Sequence, residues 1–248
     1  MIAAIAAAAV PLLAAPRPAS LAASPARLTL SGAESRTIRV TNRGGSIALI
    51  DARPAGFALD LHGRPRIVAR TDVAASRLAV QPRRLTLRPG ETSTVIVSAT
   101  LPRRVRPGDH PALVLLTTQT RAGAGVAVRM QVGIVVIVRA PGPVTHRLEI
   151  RGLHVRHAGK SEVLELSILN RGNVTEHLAR GRVRVSLLRR GRVVASVQPA
   201  AREVLPRTAA SEEFGYRRRL RGWVTAVVEI SRPGGGLRTL RRSYRIRL

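Results

Sequence analysis

The chain of 248 residues has no cysteine, so it can build neither a disulfide framework nor a thiolate metal site. Aromatic residues make up 2% of it, and Phe57, Phe214, Tyr216, Trp223 and Tyr244 are the whole set. That removes the rows of stacking platforms on which single-stranded nucleic acids are held. Lysine is reduced to Lys160, although lysine and arginine together number 42 against 14 acids. After the first fifteen residues no apolar run approaches the roughly eighteen needed to span a bilayer as a helix. No Gly-x-Ser-x-Gly elbow and no phosphate-cradling glycine loop occurs. Glu212 and Glu213 are adjacent and diverge on an extended chain, so they form no acid–base pair. His154 and His157, three apart on a strand, fall on opposite faces and cannot share a metal. These absences point to a protein that is not an enzyme and holds no metal or other cofactor.

What is present is aliphatic and basic. Apolar residues reach 45%, mostly Val, Leu, Ile and Ala, enough in this length for two cores. The formal net charge is +28, but the arginines spread over both halves and accompany abundant Ala, Gly and Pro, as a GC-rich coding sequence produces. Such a field predicts non-specific attraction to anionic polymers or membranes rather than sequence-selective nucleic-acid binding. At the start, Met1 to Ala15 is an apolar run, followed by Pro16-Arg17-Pro18 and the small-x-small pattern Ser20-Leu21-Ala22. Residues 1–22 read as a secretory signal peptide cleaved near Ala22, although its first residues lack Lys or Arg. The expected location is therefore extracytoplasmic: secreted or in the cell envelope.

The stretch Val126 to Arg139 (VAVRMQVGIVVIVR) organises the remainder. Its even positions are apolar from Val126 to Val138, the period of one long strand with a continuous apolar face. Ala140-Pro141-Gly142-Pro143 then ends it. Upstream, Ala26–Leu30, Ser35–Asn42, Ile47–Ala52, Leu78–Gln81, Leu85–Leu87, Thr92–Ala99 and Pro111–Thr120 read as strands, with turns at Asn42-Arg43-Gly44-Gly45, Pro89-Gly90 and Pro107-Gly108-Asp109-His110. Pro54 to Ala75 reads as irregular, with short pieces such as Phe57–Leu61 and Arg66–Ala69. Short strands at regular spacing predict an immunoglobulin-like β-sandwich over residues 23–141. Downstream, Ser161–Asn170 runs into Arg171-Gly172, repeating the end of Ser35–Asn42 and its Arg43-Gly44. With strands at Val144–Val155, around Val183–Leu187, at Trp223–Ile230 and at Tyr244–Leu248, this weak internal repeat predicts a second sandwich over residues 142–248. Gly234-Gly235-Gly236 reads as the hairpin loop between the last two strands. The fold class is all-β, two tandem immunoglobulin-like domains.

The segments TIRVTNRG, VQPRRLTLRPGETSTVIV, RPGDHPALVLL and GVAVRMQVGIVVIV resemble the first domain of bacterial WxL-interacting cell-surface proteins. They are also similar to the first domain of periplasmic pilus-assembly chaperones. The first resemblance implies a non-catalytic binding protein that engages an envelope protein or a cell-wall polymer through sandwich surfaces and strand edges. Members of that family usually continue into a membrane-spanning segment, whereas this chain stops at Leu248, so no anchor is expected. The second implies a chaperone that lends the strand 126–139 to an incomplete subunit by β-augmentation. Such chaperones anchor the client carboxylate with a basic pair, for which Arg27 and Arg139 are the nominees, without a matching motif. A third reading is a basic polyanion or nucleic-acid binder, with Arg217, Arg219, Arg245 and Arg247 on neighbouring strands.

The partner-binding candidates are Val126, Val128, Met130, Val132 and Ile134, together with Arg27 and Arg139. A complete sandwich needs these five apolar side chains for its own core, which predicts at least four of them buried; a chaperone leaves part of the row exposed. Ile38, Val40, Leu87, Val95, Val97, Val114, Val128 and Val132 are expected in one buried core.

Overall fold

A computed structural model describes residues 20–68, 77–102, 104–119, 129–158, 161–178, 181–198, 201–216, 220–231 and 239–248. Among these there is no α-helix; they form two tandem immunoglobulin-like β-sandwiches. The first contains β1 (Leu21–Ser24), β2 (Arg27–Ser31), β3 (Ser35–Asn42), β4 (Ala48–Leu59), β5 (Pro65–Val68), β6 (Leu78–Gln81), β7 (Arg84–Leu87), β8 (Thr92–Ala99), β9 (Gly108–Gln119) and β10 (Gln131–Ala140). One sheet runs β1-β3-β8-β6, the other β2-β10-β9-β4-β5, with β7 also paired to β4. The chain changes sheets at Pro25: β1 pairs with β3, whereas β2 runs parallel to β10.

The alternation read from the sequence is the alternation of the core. Ile38, Val40, Leu87, Val95, Val97 and Val114 are buried in one cluster with Leu30, Ile50, Ile134 and Val136. Val132 is only half-buried against it, and Val128 lies outside the described residues. Three expectations change. The strand expected from Val126 begins at Gln131, and residues 126–128 lie outside the described ones. The turn expected over Pro107–His110 ends at Gly108, where β9 begins. The region taken as irregular contains the rest of a twelve-residue β4 and all of β5. Pro54 is tolerated in β4 because β7 pairs with that strand only as far as Asp51 and β5 only from Gly56 on, so its missing N–H faces a gap in the ladder.

The second sandwich contains β11 (Leu148–Ala158), β12 (Ser161–Asn170), β13 (Glu176–Leu178), β14 (Val183–Arg189), β15 (Arg192–Val197), β16 (Arg202–Val204), β17 (Ala209–Tyr216), β18 (Trp223–Ile230) and β19 (Leu240–Arg247). Its sheets run β11-β12-β17 and β15-β14-β18-β19, with a β13-β16 pair beside them. The strand expected from Val144 begins later, at Leu148, since Pro141 and Pro143 hold the chain out of a ladder. The glycine loop 234–236 lies outside the described residues, as does most of the expected signal segment. Leu21 and Ala22, at the expected cleavage point, are paired in β1 with Asn42 and Thr41.

The internal repeat is realised atom for atom. Asn42 Nδ2 donates to the Ser46 and Leu87 carbonyls at 2.8 and 3.0 Å, and its Oδ1 accepts from the Gly44 amide at 2.9 Å. Asn170 Nδ2 donates to the Val174 and Val204 carbonyls at 2.8 and 3.0 Å, and its Oδ1 accepts from the Gly172 amide at 2.8 Å. Both asparagines are buried, and each ties the end of one strand to the start of a proline turn. That turn is Leu87-Arg88-Pro89-Gly90-Glu91 in the first half and Val204-Leu205-Pro206-Arg207-Thr208 in the second. The Asn42 amide donates to Glu91 O and the Asn170 amide to Thr208 O, both at 3.0 Å, which fixes the correspondence.

Candidate functional site

The candidate site is the first half of β10. On one side β10 pairs with β9 along its whole length. On the other, β2 covers it only from Val135 to Arg139, because β2 begins at Arg27 just after the chain has crossed from the opposite sheet. From Gln131 to Ile134 no described strand lies on that side. Val135 donates its amide to Ala26 O at 3.1 Å, toward β2, so by alternation the N–H and C=O of Gln131 and Gly133 point to the open side. Met130 O, of the other parity, accepts from Thr118 on β9 at 3.0 Å. The apolar row behind this edge grades from core to surface: Ile134 is fully buried, while Val132 and Met130 are half-buried.

The expectation that at least four of Val126, Val128, Met130, Val132 and Ile134 are buried is therefore corrected. Only Ile134 meets it among the three described. The cause is the late start of β2 at Arg27, opposite Val135: no described strand runs beside the row before that point.

At the other end of β10 the two sandwiches are locked together. Asp109, on β9, has its side chain 1% exposed. Its Oδ1 accepts from Arg139 Nε at 2.7 Å, and its Oδ2 from Arg139 Nη2 at 3.1 Å and from the Thr175 amide of the second sandwich at 2.8 Å. Burial by itself raises this carboxyl, but the Arg139 and Thr175 bonds outweigh it and hold it below the ordinary aspartate range. The same bond holds the Arg139 guanidinium above its ordinary value against its own burial. Asn173 completes the joint: its carbonyl accepts from the Asp109 amide at 2.7 Å, and its Nδ2 donates to Pro107 O at 3.1 Å and Pro143 O at 2.8 Å. Gly108 is required here, since its φ is +113° and a Cβ would run into the Asn173 carbonyl. Beside the joint, Leu205 of the second sandwich, 1% exposed, packs with Ala55, Phe57, Leu113, Leu115 and Ile137 of the first.

The structure does not set Arg27 and Arg139 side by side. Arg27 is opposite Val135 and Arg139 opposite Ser31, four pairs along the ladder. Arg139 is committed to Asp109, and Arg27 forms an ion pair with Glu203 of the second sandwich. Burial lowers the Arg27 guanidinium from its ordinary value, with Asp109 opposing and Arg139 reinforcing the shift. His177, also near Glu203 at 3.1 Å, is lowered by burial and then by Arg27. Val135, His177, Arg202 and Glu203 border an open crease of about 640 Å³ between the sandwiches, next to the uncovered edge. Of the arginine rows, Arg245 and Arg247 are exposed on β19, and Arg217 and Arg219 lie outside the described residues. Among the described residues no group of three or more His, Asp or Glu could hold a metal, and no helix is long and apolar enough to cross a membrane. Sequence reasoning missed Asp109, Asn173 and Leu205; Asp109 was read as part of a turn, and its partners lie 30 and 66 residues away.

No protein-family model matches the chain, and no curated protein does. Solved structures do match. One is a class 5 fimbriae chaperone, CfaA, with a TM-score of 0.51 at 13% identity over 90% of this chain and 98% of that one. A second, with the same figures, comes from a chaperone–tip adhesin complex of CFA/I fimbriae biogenesis. At this identity the likeness is one of fold. It falls on the pilus-chaperone side of the two resemblances, and the likeness to WxL-interacting proteins finds no support in it.

Proposed function

We propose that the chain is an extracytoplasmic chaperone of the pilus-assembly type, without catalytic activity, whose clients are incomplete envelope subunits. The observation that carries this is the edge of β10 with no described strand beside it: Gln131 and Gly133 turn backbone groups outward that no described residue pairs, while Met130, Val132 and Ile134 supply an apolar row behind them. An exposed, alternating edge is a liability that a free-standing sandwich ordinarily blunts with charge, proline or a covering loop. Its retention fits strand addition to a partner, in which main-chain bonds give affinity and alternate side chains fill pockets. The adjoining crease, with Arg27 at its margin, suits the end of a bound chain. The shared fold of the fimbrial chaperones supports this reading over a wall-polymer binder, for which the comparisons offer nothing.

The test is photo-crosslinking in the native envelope from a benzoylphenylalanine placed at Gln131, with the exposed Glu91 as control position. The expected product is an adduct at Gln131 alone, with a small all-β subunit identified by mass spectrometry. Gly133→Pro, which removes one outward N–H without touching the β9 ladder, should abolish it. An adduct that forms equally from both positions, or that survives Gly133→Pro in a folded protein, overturns the proposal.

A further inference from the structure

The far end of the second sandwich carries a feature that strand capture does not use. β14 begins beside Arg182, which binds Glu176 and the His177 carbonyl near the junction, and reaches Arg189 at the opposite end. There Arg190 and Gly191 form a two-residue hairpin turn into β15, both with positive φ, +49° and +78°. Asparagine or glycine is the ordinary first residue of such a turn, because a β-carbon is strained in the left-handed region. An arginine is held there instead, fully in solvent.

Around this tip stand Arg189, Arg190, Arg192, Arg221, Arg245 and Arg247, all exposed, and none forms an ion pair among the described residues. Other arginines of this sandwich do: Arg151, Arg156, Arg171, Arg182, Arg202 and Arg241 each have a carboxylate partner. In their midst Trp223 is 55% exposed, with the Arg245 guanidinium 4.8 Å from its ring centroid, and Val193 is 62% exposed. Arg189, Arg190, Arg192, Val194 and Trp223 border an open recess of about 930 Å³.

We infer that this tip docks on an anionic lipid surface. Charge complementarity calls for an anion, since six exposed arginines gather here and none has an Asp or Glu partner among the described residues. The apolar part selects among anions. An indole with a cation on its face, beside an exposed valine, matches the headgroup level of a bilayer, where amphipathic rings settle between charge and hydrocarbon. A soluble polyanion has no place for Val193, and a nucleic acid would use more stacking platforms than one ring.

Trp223 is the only tryptophan in the chain, so its emission reports on this site alone. The experiment mixes the protein with large vesicles of phosphatidylcholine, with or without 30% phosphatidylglycerol, and with soluble polyphosphate. Expected are sedimentation with the phosphatidylglycerol vesicles only and a blue shift of Trp223 emission on binding. Arg190→Glu with Arg192→Glu should weaken that binding at least about tenfold, each basic side chain near an anionic surface being worth on the order of 1 kcal/mol. Both positions are exposed, and unchanged thermal unfolding of the double variant confirms its fold. Vesicle binding with no change in emission, or with no loss in the double variant, would show that the net charge alone acts and overturns the inference. An equal blue shift with polyphosphate assigns the tip to soluble polyanions and overturns it as well.

Discussion

Arg88 and Leu205 occupy the same place in two copies of one turn. Each follows a buried strand-end residue, Leu87 or Val204, whose carbonyl is held by a buried asparagine, and each precedes a proline. Arg88 is in solvent, whereas Leu205 is buried against Phe57, Leu113, Leu115 and Ile137 of the first sandwich. The plan of the corner is thus indifferent to what its second residue carries. One copy points it to water; the other uses it as the bolt of the domain junction. A second difference follows at Gly90 and Arg207. Both sit in the left-handed region, at +79° and +59°, but only the first has the residue that region favours. What the comparison teaches is that a repeated backbone device stays constant while the side chains on it are reassigned from solubility to assembly.

The largest way to break the comparison is to remove the charge that only the second corner meets. Asp109→Ala leaves Arg139 and the Thr175 amide without their acceptor, and losing one partner of a buried pair costs about 3–5 kcal/mol. Calorimetry should then resolve two transitions where the parent shows one. The same joint makes the protein acid-sensitive. Asp109 is held below the ordinary aspartate range, so its contribution is complete above the unfolded value near pH 4 and fades as the pH falls through the folded one. Unfolding midpoints measured from pH 6 to pH 2 should fall steeply below about pH 4 in the parent and less so in Asp109→Ala.

Next in size is the pair that opened the comparison. Leu205→Ala should cost about 2–5 kcal/mol, the range for a buried leucine, and Arg88→Ala within about 0.5 kcal/mol of nothing, as for an exposed side chain. Denaturant midpoints decide it, and equal effects would mean that the two turns are not the counterparts described.

Asn42→Ala and Asn170→Ala sharpen the other side of the comparison. Each strands one deeply buried carbonyl, Leu87 O or Val204 O, besides a second carbonyl and an amide, at about 1–3 kcal/mol for the buried group left without its partner. The two losses should agree closely, since the bonds agree to within a tenth of an ångström or so. The smallest effect is at the turn tip: Arg207→Gly should stabilise by about 1 kcal/mol, by relieving left-handed strain, and Gly90→Arg should destabilise by as much. Thermal unfolding of both variants is sufficient.

The sequence makes the repeating parts of this molecule readable. Ile38, Val40, Val95 and Val97 alternate with polar neighbours, and alternation is all that a half-buried strand needs to declare its register. Asn-Arg-Gly appears twice in the chain and does the same work twice. The second half of β4 was hidden for the opposite reason: Ala55, Gly56 and Phe57 are all buried, because both faces of that stretch are covered, and no period of two survives. Asp109 was hidden by distance, since a strand's first residues look like a turn until their partners arrive from another domain. The apolar row of the candidate site was legible, but its exposure was not, because that depends on where β2 starts. Leu205 resembles any leucine before a proline; nothing local says that it belongs to someone else's core.

The cluster around Leu205 also sets a clock. The first sandwich is finished at Ala140, but its patch of Phe57, Leu113, Leu115 and Ile137 has no cover until the second is built. A chain that emerges from its N-terminal end completes the two in that order. During that interval a nascent chain carries an apolar surface with nothing seated on it, next to an edge open for pairing. A protein proposed to shelter the unfinished surfaces of others is, at its own birth, briefly in the same condition.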